Sequence, residues 1–409
     1  MMKYLKQASF CLLLIHSNLL SADLIEVSPS TDPYSEIQEA LILASSGDII
    51  KLSDGYYELE DSLSIDVDGI TLVGSSMNGT IISFANQQSG AQGLLVTSDD
   101  VTLKEFTIQN AKGDAIKAKG VDNIKFIKVK TEWTGGPNSK NGAYGLYPVE
   151  STNVLIDGCV AIGASDAGIY VGQSQNIVVK NSTAEFNVAG IEIENSYYAD
   201  VYNNTATNNT GGILVFDLPS LPQQGGHHVR VYGNDIVNNN TDNFAPEGNI
   251  VGEVPRGTGV LVQANSDVEI FNNNIGGNET INIAVVTYSY ETDDEQYNPH
   301  PSRIQIHGNK FSKSGHNPDL ETGELAKILY ELSDGNMPDI FWDGVVPVSK
   351  IFSSKTKKET IILGDNGDAT FLTISPLKYM LPLFDPVVRD YDWYVGGISP
   401  LERVVLSEE

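Results

Sequence analysis

Cysteine is almost absent: the 409 residues hold two, Cys11 and Cys159. Cys11 sits in an N-terminal stretch built from Lys3, Lys6, an apolar run from Ala8 to Ile15, and Leu20-Ser21-Ala22. That order of basic, apolar and small residues predicts a signal peptide over residues 1–22, and export to the periplasm or medium. Without it, Cys159 stands alone and no internal disulfide can form, so stability must come from a buried core. Cysteine and histidine spacings give no zinc or haem motif. Basic residues are also few, 25 against 53 acidic, for a formal net charge of −28. Loss of Lys3 and Lys6, with no acid in the first 22 residues, makes this −30. Such a surface repels nucleic acid and anionic lipid. No later run approaches the ~20 apolar residues of a membrane span.

What the chain does have is repetition. A small residue followed by an aliphatic one leads, eight residues on, to Asn or Asp followed by another aliphatic. Ala115-Ile116 leads to Asn123-Ile124, Gly145-Leu146 to Asn153-Val154, Gly168-Ile169 to Asn176-Ile177, and Gly259-Val260 to Asp267-Val268. Gly190-Ile191 is matched to Asp200-Val201 after a short extension, and Gly212-Ile213 to His228-Val229 after a longer one. From Gly145 to Gly212 the starts lie 23, 22 and 22 residues apart. Short alternating segments at that period predict stacked coils of strand, since one coil cannot bury its apolar face alone. Val154 and Ile156, Ile177 and Val179, Val229 and Val231, Val268 and Ile270, and Ile304 and Ile306 are expected inside. Polar turns follow at Asn181, Asn203-Asn204, Gly233-Asn234, Asn272-Asn273 and Gly308-Asn309, where stacked Asn side chains can form a ladder. That ladder, rather than glycosylation, is taken to explain the Asn-x-Thr phrases at Asn203, Asn208 and Asn239. Cys159 is expected to be a buried structural thiol.

Near the start, Ile37, Leu41 and Ala44 mark one face of a short helix, followed by Gly47-Asp48, a strand at Ile49–Leu52, and Asp54-Gly55-Tyr56-Tyr57. The passage resembles the entry segment of pectin-lyase-like right-handed parallel β-helices, and the likeness runs to about Phe311. The fold expected is all-β: a single-stranded right-handed parallel β-helix of about 10–11 coils with an N-terminal capping helix. The coil domain is expected over 23–311, and an irregular C-terminal cap with a helix at Glu321–Leu332 over 312–409. All strands should be parallel. Insertions at 217–227 and 241–256 are expected to wall a groove.

Alternation also predicts outward columns across successive coils: Lys117, Tyr147, Tyr170, Glu192 and Leu214, then Lys119, Val149, Gly172, Glu194 and Phe216. At ~4.8 Å per coil, the first makes a ladder of ionisable groups about 15 Å long. Asp217, His228 and Arg230 are placed beside it. Lys104, Lys112, Lys125, Lys128, Lys130 and Lys140 crowd into the same early coils. Aromatic faces suit pyranose rings and lysines suit an acidic sugar. The predicted binding residues are therefore Lys117, Lys119, Glu192, Glu194, Asp217, His228 and Arg230. Tyr144-Gly145-Leu146-Tyr147-Pro148-Val149 resembles the Tyr-Gly-Phe-Asp-Pro-His phrase of β-helical mannuronan epimerases. Tyr147 and Val149 replace the Asp and His, and Asp166 stands one residue before that family's next Asp position, now Ala167. That family's chemistry does not transfer as a set; Tyr144 alone carries over as an acid or base. The catalytic candidates are Tyr144, Tyr147 and Tyr170, a phenol of pKa near ~10 being usable if Lys117 or Lys119 lowers it. Glu192 and Glu194, about 6.6 Å apart by strand rise, are a weaker candidate pair for glycoside hydrolysis. The partner expected is an acidic polysaccharide, bound along this face or modified there in the manner of a lyase or epimerase. The competing reading is a non-catalytic envelope binding or assembly factor, since accessory β-helices of copper-site assembly share the coil pattern. No cofactor is required; calcium could occupy loops bearing Asp242, Glu247, Asp293, Asp294 and Glu295. Adjacent His227 and His228 are expected to face opposite ways along a strand.

Overall fold

A computed structural model describes residues 22–375, 378 and 385–406. The expected signal peptide therefore lies, but for Ala22, outside the described residues. The chain winds through three sheets in turn, so that sequence neighbours lie on different faces. Sheets one and three each contain twelve strands and sheet two contains ten. In one middle coil these are Thr152–Asp157, Val160–Ile162 and Ala167–Gly172, each paired in parallel with its counterparts above and below. Among the described residues one pairing departs from the all-parallel expectation: Phe371–Ile374 runs antiparallel to Val387–Val388. No described helix is long and apolar enough to cross a membrane.

The interior is apolar and closed. Val154, Ile156, Ile177, Val179, Val229, Val231, Val268, Ile270, Ile304 and Ile306 are all buried, as alternation requires. The Gly that opens the phrase has a steric reason. A Cβ on Gly190 would lie 2.6 Å from the Gly212 carbonyl oxygen. The Asn or Asp eight residues later has a backbone reason: Asn123, Asn153, Asn176 and Asp267 adopt positive φ, which short polar side chains tolerate best. Register also corrects one assignment. Ile177 pairs with Ala199, so Tyr198 at φ 58°, not Asp200, occupies that position in the next coil.

Two asparagine ladders lock the turns. In the first, the Asn204 backbone N–H donates to Asn234 Oδ1 (2.9 Å), Asn234 to Asn273 (3.0 Å), and Asn273 to Asn309 (3.1 Å). Cys159 N–H joins the same line through Ser182 Oγ (3.1 Å), and burial pushes its thiol up to about 12, consistent with a structural role. The second ladder, Asn187, Asn209, Asn239 and Asn278, was not anticipated. Asn239 is thus buried, whereas Asn203 and Asn208 only flank the ladder residues Asn204 and Asn209.

The Pro33–Leu43 helix, capped by Asp32 accepting from Ser35 N–H, lays Ile37 and Leu41 on the first coil. Leu24–Val27, unpredicted, adds one strand before Ile49–Leu52. The sheets also continue past Phe311: Ile340–Trp342 pairs with Ile283–Val285, and Ile361–Leu363 with Ile304–Ile306. The helix there is Glu324–Leu332. Beyond it the tail lies along sheet one, where Val404 and Leu406 pack with Leu155 and Val178.

Replacing Asn234 by Ala strands the Asn204 donors inside the turn. A loss of about 3 kcal/mol is expected in urea unfolding. Asn274→Ala, whose side chain bonds Asp235 at the surface, should cost under about 0.5 kcal/mol.

Candidate functional site

The outward columns form in the predicted register. Lys117 pairs with Tyr147, Tyr170 with Glu192, and Glu192 with Leu214; Lys119 pairs with Val149, Gly172 with Glu194, and Glu194 with Phe216. Their environment differs from the expected open strip. The insertion at 241–256 folds over sheet three as a roof, laying Phe244, Ala245, Ile250, Val251 and Val254 against the cluster that holds Tyr170, Leu214 and Phe216. Tyr170, Glu192 and Glu194 are only 4%, 1% and 7% exposed. Asp114, Lys117, Tyr144 and Tyr147 stay partly open at one end.

The three tyrosines form one cluster. Ring centroids lie 4.4 Å apart for Tyr144 and Tyr147, 4.6 Å for Tyr144 and Tyr170, and 5.0 Å for Tyr147 and Tyr170. Lys117 Nζ lies 4.5 Å from the centre of the Tyr147 ring, a cation–π placement rather than a contact with the hydroxyl. Behind the rings lie carboxyl groups. Asp166 lies beside Tyr144 and accepts from Asn249 of the roof (3.3 Å). Tyr170 donates to Glu194 Oε1 (2.8 Å), and Glu192 and Glu194 bond each other. Glu192 Oε2 is buried without a partner among the described residues. At the far end, Asp217 accepts the Gly226 and Gly225 N–H groups (2.8 and 3.2 Å).

Burial sets the electrostatics. Removal from water favours neutral carboxyls, pushing Asp114 and Asp217 up to about 6 and Asp166 up to about 7. Burial, then the charges of Asp166 and Glu194, raises Glu192 well above the carboxylate range; it holds its proton and donates to Glu194. The tyrosines move opposite to the expected direction. Burial, reinforced by neighbouring carboxyl groups such as Asp114 and Glu194, raises Tyr147 to about 12 and Tyr144 and Tyr170 further up. They are phenol donors at neutral pH and not bases. Glu192 and Glu194 touch, which leaves no room between them for a sugar linkage and water.

A family described as "Right handed beta helix region" matches residues 68–221. The chain folds as a right-handed parallel β-helix. Similar solved structures include a mannuronan C-5 epimerase A-module from Azotobacter vinelandii, 14% identical, covering 84% of this chain and 92% of that one, at a TM-score of 0.51. A polygalacturonase from Erwinia carotovora ssp. carotovora is 11% identical, with coverages of 86% and 94% and a TM-score of 0.51. DFA-IIIase from Arthrobacter chlorophenolicus A6 is 11% identical, with coverages of 89% and 90% and a TM-score of 0.52. At such identities the likeness is one of fold. A sequence comparison with curated proteins finds no match.

The β-helix separates some predicted site residues from the rest. His228 and Arg230 lie on sheet one, away from the tyrosine column on sheet three. Arg230 pairs with buried Asp200 (2.9 Å) and cannot border the strip. His228 adopts φ 58°, which brings its Nδ1 within 2.8 Å of His227 Nδ1, so the two rings share a side. Lys119 stands exposed beside Glu150 (3.7 Å). Among the described residues, no group of three His, Cys, Asp or Glu is placed to hold a metal ion. Sequence reasoning missed Asp114, Asn249 and the part of Asp166; the available signal was an acid at or just before a strand on the tyrosine-bearing face.

The raised Asp166 has a pH signature. Unfolded, an Asp titrates near ~4, so between there and about 7 the native state holds the extra proton. Its stabilising share is complete below pH ~4 and is lost as pH rises toward 7. The stability of the wild type relative to Asp166→Asn should therefore fall across this window, by up to about 1.4 kcal/mol per pH unit. Unfolding at a series of pH values checks it; a flat difference would contradict the protonated site.

Proposed function

We propose that this protein is a glycan-modifying enzyme that works by proton transfer at the Tyr144–Asp166 pair, on a uronate-containing polymer entering beside Lys117 and Tyr147. One observation carries the proposal: Asp166, a carboxyl group raised to about 7 and held by Asn249, lies beside Tyr144 at the partly open end of a buried cluster of tyrosines and carboxyl groups. Groups tuned near neutrality suit general acid–base catalysis. Elimination or epimerisation next to a uronate carboxylate needs three things: a partner for that carboxylate, a base for the ring proton, and an acid. Lys117, beside Tyr147 at the open end, supplies the first. Ionised Asp166 serves as the base, and Tyr144, held as a phenol, as the donor. The β-helices with similar coils include a mannuronan epimerase and a polygalacturonase, which supports a glycan without naming it.

A non-catalytic binding or assembly role draws on a different observation, the complete burial of Glu192 and the roofing of Tyr170. It predicts glycan affinity without turnover.

Incubation with alginate, polygalacturonate and related polyuronates should yield unsaturated ends or an altered epimer ratio by NMR. The rate should rise with pH through about 7 as Asp166 ionises. Asp166→Asn and Tyr144→Phe should each lower it by about 100-fold or more. Unaltered polymers from pH ~5 to ~9, with measurable binding, would leave the binding role in its place.

A further inference from the structure

Beyond Phe216 the outward face of sheet three runs into a cavity. A pocket of about 690 Å³ opens between that face, the Glu324–Leu332 helix and the end of the roof. Phe216, Leu261 and Phe341 line it from the sheet, and Leu325 and Leu332 from the helix. Its volume is that of a small-molecule site, and its walls are mostly apolar, as such sites are. Its charged lining residues are all acidic: Glu253, Glu324, Glu331 and Asp343. No lysine, arginine or histidine occurs among the described lining residues; Arg389, which donates to the Leu332 carbonyl at the helix end (3.5 Å), is not one of them. One lining acceptor, Gln263 Oε1, is buried with no hydrogen-bond partner among the described residues. Asp343 accepts the Thr287 and Val345 N–H groups (2.6 and 3.0 Å) but meets no cation in the lining, and burial lifts it to about 6.

We propose that this pocket binds a small amphiphilic cation, an alkyl or aromatic body carrying a protonated amine. The body removes apolar lining from water. The ammonium supplies the donors that Gln263 lacks and the positive charge that the four carboxyl groups favour. This site is separate from the tyrosine cluster and does not depend on turnover there.

Calorimetric titration in mildly alkaline buffer at physiological salt, with n-decylammonium and decanoate as probes, tests it. Saturable one-to-one binding of n-decylammonium is expected, with decanoate at least tenfold weaker. Leu261→Trp, which fills the chamber, should abolish binding. Should that variant misfold, Ile328→Lys, at an exposed helix position lining the pocket, should weaken the ammonium probe at least tenfold while leaving circular dichroism unchanged. Equal affinity for decanoate, no saturable binding, or binding unchanged in these variants would overturn the proposal.

Discussion

Every strand in a coil finds its backbone partners in the coils before and after it, and the rest of the structure follows from that one requirement. A coil alone would expose both edges of each strand and one side of its core. Stacking satisfies both at once, provided successive coils keep one register. The register is held by inward aliphatic columns and by the two asparagine ladders, which take up turn N–H groups that the sheets cannot reach. The helix at one end and the irregular strands at the other close the stack.

Once the register is fixed, outward side chains have no choice but to form columns. Lys117, Tyr147, Tyr170 and Glu192 meet because their strands pair, although up to 75 residues separate them in sequence. The columns alone would make a wet polar stripe. What changes their chemistry is the roof formed by 241–256, which removes water from the inner half. Carboxyl groups that would ionise near ~4 in water then keep protons, and phenols that a lysine would have acidified stay neutral. The same roof, at its other end, helps enclose the apolar chamber beyond Phe216. One loop thus divides a continuous sheet face into two environments of different polarity.

The coils, their register, the inward residues and the first ladder were legible because each depends on local alternation and a short period. The matching of Asp200 with Asp267 failed because apolar pairing suggested it, whereas backbone φ selects Tyr198. The roof was not legible. Its position was evident from the break in the period at 241–256, but the face it covers depends on packing between segments far apart in sequence. Asp166 shows the cost: one residue out of its expected place in the sequence, it still lies beside Tyr144, with Asn249 of the roof donating to its Oδ2. The shared side of His227 and His228 was hidden for the same reason as Tyr198, since strand alternation fails at a residue with φ 58°.

The central claim is that the outward face of sheet three stores protons near neutral pH. Carboxyl-carbon NMR of the protein labelled at Asp and Glu, titrated from acid to neutral and assigned with Asp166→Asn, measures that directly. The account predicts a midpoint for Asp166 at about 7, and Asp114 at about 6, with Glu192 still protonated where surface carboxyls have ionised. Titration of all of them near ~4, as in water, would contradict it.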